Sequence, residues 1–283
     1  MSKVDLHLHS TVSDGRLSPA EIILKSAEAG LTAISLTDHD NVDGMVPALE
    51  AAKAFPGLKV IPGVEISTYV PEGEIHVLGY FIDYTSPDLQ SDLRRMRHSR
   101  QERAQRMIAK LKNLGLPIEW ERVKEIAGDG SIGRPHLAQA MLEKGYIASF
   151  KEAFTKYIGG DGPAHVARDK MTPIEAIKLI LRANGLPVMA HPLIFNDPEP
   201  IIIELKAAGL VGIEAHYGEY TLEEIDRLVS LAKKHSLIAT GGSDYHGINA
   251  RTEIMIGGAD VPVESAEQLI ALAEQRAGRL ASP

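Results

Sequence analysis

The residues Asp5-Leu6-His7-Leu8-His9 alternate polar with apolar side chains. On a strand, side chains two apart share a face, so His7 and His9 project together and could hold one metal ion. Alone, the pair is equally compatible with chance on a half-exposed strand. The theme recurs, however. Asp14 follows in the next loop, and Thr37-Asp38-His39-Asp40, Val64-Glu65-Ile66-Ser67, Glu74-Ile75-His76, Ala190-His191-Pro192 and Gly242-Ser243-Asp244-Tyr245-His246 each adjoin an apolar run. Six of the eleven histidines thus sit at the ends of strand-like segments. One such histidine reads as a surface loop residue, whereas the set reads as a metal centre. Imidazoles and carboxylates without thiolates suit zinc, manganese or iron.

The elements that must position these groups are short β-rich runs alternating with helical patterns, the signature of parallel β/α architecture. Strands are expected at Lys3–His9, Ala33–Asp38, Lys59–Ser67, Glu74–Ile82, Leu186–His191, Val211–His216 and Leu237–Ser243. In such barrels the C-terminal strand ends converge on one mouth, where active sites lie. His76 fits this scheme poorly, because it falls early in its strand. Helix starts are marked by capping boxes at Ser18/Glu21, Thr172/Glu175, Thr221/Glu224 and Ser265/Gln268, the first two with proline at the first helical position. Gly30, Gly185 and Gly209 stand where helices should stop.

The middle of the chain differs. A long charged helix is expected over Asp88–Leu114, then shorter ones near Glu119–Ile126, Arg134–Lys144 and Ser149–Tyr157, with no convincing strand. The fold class is therefore α/β, a distorted (β/α)7 barrel with a helical insertion after the fourth strand. The barrel would occupy residues 1–86 and 169–283 and the insertion, a substrate-binding cap, residues 87–168. The 283 residues, 44% hydrophobic and 24% charged, are those of a globular chain with a sizeable core. With no cysteine, disulfides and zinc-thiolate sites are excluded. The polar N-terminus does not resemble a signal peptide and no run is long enough for a membrane span, so a cytoplasmic location away from membranes is expected. A net charge of −8 disfavours broad electrostatic binding of duplex DNA.

The array HLHS, DG, TDHD, GVEIS, H, AHP and GSDYH resembles the PHP (polymerase and histidinol phosphatase) family of metal-dependent phosphoesterases, over essentially the whole chain. The resemblance implies three divalent ions, manganese first, with zinc or iron as alternatives. By it, His7, His9, Glu65 and Asp244 resemble ligands of a first site and act catalytically through bound metal. Glu65, His76 and His191 resemble those of a second, Glu65 bridging, and Asp14, His39 and His246 those of a third. Chain length and the helical insertion resemble the branch acting on nucleoside 3′,5′-bisphosphates and RNA 5′ ends.

The insertion supplies Arg97, Arg100 and Arg103 along one side of a helix, a pattern that also suits a solvated face paired with acids such as Glu102. The resemblance raises Arg100 and Arg103 to phosphate-ligand candidates. Ser131-Ile132-Gly133-Arg134-Pro135-His136 reads as a helix start or as an anion-binding turn in which Arg134 and His136 contribute. Glu214 and His216 share a strand face and could support the centre, supply a proton or form a salt bridge. His235 reads as structural, and His98 and His165 stay undecided. The expected reaction is metal-activated hydroxide attack on the 3′-phosphate of a nucleoside 3′,5′-bisphosphate, pAp to AMP, and on short single-stranded 5′-phosphorylated RNA from its 5′ end. The alternatives are another small ester such as histidinol phosphate, or a metal-containing binding module without catalysis.

Overall fold

Seven strands form one sheet in chain order: β1 Lys3–Leu8, β2 Leu31–Leu36, β3 Lys59–Val70, β4 Gly73–Tyr80, β5 Leu186–Met189, β6 Gly212–Tyr217 and β7 Ile238–Gly242. The computed structural model describes residues 3–70, 73–128, 132–166, 171–248 and 253–280, so Ser131 and the boundary expected at Arg168 lie outside the described residues. Beyond β7 the chain returns to β1, where Asp244 N–H donates to His7 C=O (3.0 Å) and His9 N–H to Tyr245 C=O (3.0 Å). These bonds bring the sheet close to closure as a seven-stranded barrel. The chain divides into two compact units, one of Met1–Gln90 with Met171–Pro283 and one of Ser91–Lys170.

The parallel expectation fails at one strand. β4 runs antiparallel to both β3 and β5, with Ser67 opposite His76 and Val77 opposite Met189. Only a short connection joins β3 to β4, too short for the crossover that a parallel pair needs. The reversal places the start of β4 beside the end of β3, and so brings His76 to the mouth.

Around the barrel lie α1 Pro19–Glu28 and α2 Met45–Ala52; α3 Pro87–Asn113, α4 Trp120–Ala127, α5 Arg134–Glu143 and α6 Phe150–Ala153 follow β4 in sequence. The chain ends with α7 Pro173–Arg182, α8 Glu199–Ala207, α9 Leu222–Lys234 and α10 Val263–Leu280. The capping boxes at Ser18, Thr172 and Thr221 form with both reciprocal hydrogen bonds. The fourth does not: α10 begins at Val263, and the Ser265 hydroxyl donates to Ala239 C=O at 2.7 Å. Ser265 lies inside the first turn of α10 and not at its cap, and its hydroxyl is used as a donor to β7.

The barrel interior buries Val4, Leu6, Ile61, Leu78, Tyr80 and Val188, with Val261 and Leu269 packed against the same cluster. The second unit has its own core, with Met107, Leu111, Val123, Leu137, Met141 and Ile158 buried. Tyr80, fully buried on β4, reaches across the barrel to donate its hydroxyl to Leu6 C=O at 3.1 Å. Tyr80→Phe leaves that carbonyl without the hydroxyl and is expected to lower stability by about 1–3 kcal/mol, read from the urea midpoint.

Candidate metal centre

Glu65, 1% exposed in the middle of β3, is the hub of the barrel mouth. Its Oε1 lies 2.8 Å from His76 Nδ1 and 3.3 Å from His191 Nε2. Its Oε2 lies 3.4 Å from His7 Nε2, 3.2 Å from His9 Nε2 and 2.8 Å from His39 Nδ1. Asp244 Oδ1 stands 3.2 Å from His7 Nε2 and 3.1 Å from His9 Nε2. Asp14 closes the other side, Oδ1 3.4 Å from His246 Nε2 and Oδ2 3.9 Å from His39 Nε2. All nine residues expected to ligate metal are therefore gathered here, although they lie between positions 7 and 246 of the chain.

The donor atoms fall into three groupings close enough for an ion: His9, Asp14, His39 and His246; His7, His9 and Glu65; and His39, Glu65 and His76. His191 reaches Glu65 from the edge of these groups. Several inward atoms are buried without a hydrogen bond among the described residues, namely His7 Nε2, His9 Nε2, Asp14 Oδ1, Glu65 Oε2 and Asp244 Oδ1. Polar atoms buried in this way are costly unless something else satisfies them. Coordination to divalent cations does so, and the mixed imidazole–carboxylate donor set fits such ions.

Electrostatics agree with a centre built for positive charge. Burial opposes ionisation of Glu65, but His39, His76 and His7 hold its carboxyl well below the usual range. Burial likewise opposes a charged His76, yet Glu65 and Glu74 push its imidazole up to about 10. His246 is pushed up to about 10 against burial by Asp14 and Asp244. The carboxylates thus favour positive charge beside them, and a divalent cation bound by the same groups would supply it.

A supporting layer holds these groups. Asp38, fully buried, accepts from Ser10 N–H and from the Ser10 and Ser13 hydroxyls, each at 2.7 Å, which pins the loop after β1. Asp5 accepts from Ser243 N–H (2.9 Å), Ser243 hydroxyl (2.7 Å) and Gly257 N–H (2.8 Å), which pins the loop after β7. Tyr217 donates its hydroxyl to Asp244 Oδ2 at 3.0 Å, on the oxygen turned away from His7 and His9. Asp5, Asp38, Ser10, Ser13 and Tyr217 have no role legible in the sequence alone. Their only signal was adjacency to the histidine motifs.

Glu214 and His216 do not share a face. A register shift between them lets Ala215 bulge out of the β6–β7 ladder, so Glu214 points into the mouth with Tyr217, whereas His216 faces Asp260. A bulge adds one residue to a strand and reverses the alternation beyond it. His235 ends α9 as its cap, with Nε2 2.6 Å from Glu199 Oε1.

In the second unit, Arg100 and the Gly133–His136 turn are neighbours: a Cβ added at Gly133 would lie 3.9 Å from Arg100 Nη1. Gly133 N–H donates to His136 Nδ1 at 3.0 Å, and the Arg134 guanidinium stands over the Phe154 ring at 5.5 Å. Arg103 is buried, its Nε donating to Val166 C=O at 2.7 Å and Nη2 3.5 Å from His165 Nε2. His98 lies 3.3 Å from Glu102 on the exposed face of α3. Among the described residues no helix is long and apolar enough to cross a membrane.

Residues 5–80 match the model of the PHP domain. The chain is 32% identical over 256 residues to the 3′,5′-nucleoside bisphosphate phosphatase of Chromobacterium violaceum, covering 87% of this chain and 88% of that one. It is 34% identical over 248 residues to a 5′-3′ exoribonuclease of Haemophilus influenzae, covering 86% and 90%. Among solved structures, a Chromobacterium violaceum protein described as an amidohydrolase, with bound sulfate and no metal, superposes with a TM-score of 0.86 at 30% identity, over 97% of each chain.

The strand β7 passes so close to β1 that a Cβ at Gly242 would lie 2.4 Å from His7 Cβ and 2.6 Å from His7 N. Gly242→Ala must therefore displace the first histidine. A shift of about 1 Å at reacting groups costs on the order of 100-fold in rate. A fall of that size in kcat is expected, with metal content by elemental analysis falling alongside.

Proposed function

The chain belongs to the PHP family and is a phosphoesterase, and on that premise we propose that it removes the 3′-phosphate of nucleoside 3′,5′-bisphosphates and trims short 5′-phosphorylated RNA from its 5′ end. The observation that carries this reading is the extent of the match: similarity to a bisphosphate phosphatase and to an exoribonuclease runs through both units, not the barrel alone. The ligand assignment is the one the family resemblance implies, and the gathering of all nine residues at the barrel mouth supports it. His7, His9, Glu65 and Asp244 hold one ion, Glu65, His76 and His191 a second, and Asp14, His39 and His246 a third, with manganese the expected metal. Bound divalent ions supply Lewis acidity to the phosphoryl oxygens and a water of lowered pKa as nucleophile.

The protein's own groups do the positioning. Glu65 presents both oxygens inward, and Asp38 and Asp5 hold the loops that carry Ser10, Ser13 and Ser243. Arg100, Arg103, Arg134 and His136 are assigned to the substrate's 5′-phosphate. Guanidinium forks suit phosphate oxygens, and the turn entering α5 offers the N-terminal end of a helix.

The test is phosphate release from adenosine 3′,5′-bisphosphate, 5′-AMP and histidinol phosphate by metal-stripped enzyme given manganese. Turnover of the bisphosphate alone, abolished by stripping and restored by the ion, is expected. Arg100→Ala should raise KM for the bisphosphate about 10- to 100-fold, the loss of one hydrogen bond to a charged group. Preferred turnover of histidinol phosphate would overturn the substrate assignment and keep the metal centre. Metal binding without hydrolysis of any ester would leave a binding module.

A further inference from the structure

β6 contributes no ligand to the three donor groupings, yet it sends a fully buried carboxylate among them. Glu214 Oε1 lies 2.9 Å from His7 Nδ1, and Glu214 Oε2 accepts from His191 N–H at 2.8 Å. His7 Nε2, the other ring nitrogen, points at Glu65 and Asp244 without a hydrogen bond among the described residues. His191 adopts φ +28°, a left-handed conformation that a non-glycine residue holds only when its surroundings fix it. Glu214 is the last residue of β6 in regular register with β7, and the bulge at Ala215 that follows it turns Tyr217 to the same side.

From this arrangement we infer that Glu214 is a joint positioning residue for two adjacent metal sites: it fixes which nitrogen of His7 faces the metal, and it holds the backbone that aims His191. The inference rests on the metal reading above and adds to it a residue outside the nine ligands. A carboxylate acceptor on Nδ1 keeps the proton there and leaves the Nε2 lone pair for the ion. The second oxygen simultaneously satisfies the strained turn at His191. Both tasks need an acceptor, and a carboxylate offers two.

An amide of the same shape offers one. In Glu214→Gln, an oxygen retained on His191 N–H leaves the NH2 facing His7 Nδ1. The imidazole must then carry its proton on Nε2, the atom the ion needs. The opposite amide orientation keeps His7 correct and sets a donor against His191 N–H. Either way one of the two sites loses its geometry, and the shared Glu65 passes the defect to the other.

The experiment is equilibrium dialysis of the full chain against manganese, with the bound ion quantified for wild type and Glu214→Gln, and the fold checked by circular dichroism. Wild type is expected to bind three ions. In the variant two should bind about 10- to 100-fold more weakly, while the ion held by Asp14, His39 and His246 keeps its affinity. Unchanged affinities in a folded variant overturn the proposal and leave the metal reading intact, and so does equal weakening of all three. A wild-type protein that binds no ion overturns both. A second readout needs no variant: nitrogen NMR of zinc-loaded, 15N-histidine-labelled protein should show His7 protonated at Nδ1 and metal-bound at Nε2. The reverse pattern overturns the proposal even if Glu214→Gln does not fold.

Discussion

A single carboxylate buried among five imidazoles governs the molecule. Glu65 cannot be ionised in a barrel mouth without compensation, because taking a charge out of water costs several kcal/mol. Its two oxygens are compensated from opposite sides, by His76 and His191 at one and by His7, His9 and His39 at the other. The five partners come from four separate parts of the chain, so the centre forms only when β1, β4 and the segments after β2 and β5 are assembled around β3. The burial that makes the arrangement expensive without cations is the same burial that makes it selective for them.

Convergence of this kind imposes strain: of six non-glycine residues with positive φ among the described residues, three lie at the mouth. Asp40, His191 and Asp244 all adopt left-handed backbone conformations at strand ends. Each is held by a tertiary bond: Asp40 N–H donates to Glu65 C=O, His191 N–H to Glu214, and Asp244 N–H to His7 C=O. The three bonds tie neighbouring strands to one another at the mouth. Loss of any one would therefore disturb a ligand and a strand ending together.

The scaffold achieves this with two departures from regular β/α architecture. Reversal of β4 brings a strand beginning to the mouth, and the bulge in β6 turns Glu214 and Tyr217 the same way. Below the mouth the interior is apolar and closed by Tyr80, whose hydroxyl bonds across to β1. Of the nine expected ligands, His7, Glu65 and His76 stand on the strands themselves, and the other six lie in the segments that follow strand ends. The polar layer of Asp5, Asp38 and their serine donors then fixes the loops that the sheet cannot reach.

Residue types and their spacing carry the order of elements and the expected donor chemistry. Histidine–carboxylate motifs beside apolar runs, and capping boxes at Ser18, Thr172 and Thr221, are local features whose physics acts within a few residues, and the local elements followed. All seven strands lie within a few residues of where alternation placed them. Whatever depends on a partner far along the chain emerges with the assembled barrel. The direction of β4 follows from its short connection to β3, whereas the face of His216, set by the bulge against β7, and the fate of Ser265, whose hydroxyl bonds to Ala239, each hinge on such a partner. So do the supporting roles of Asp5, whose partner Ser243 is 238 residues away, and of Asp38, whose serines are 25 to 28 residues back. Periodicity records which side chains alternate. A hydrogen bond to a distant strand, or one extra residue in a ladder, leaves no trace in that record.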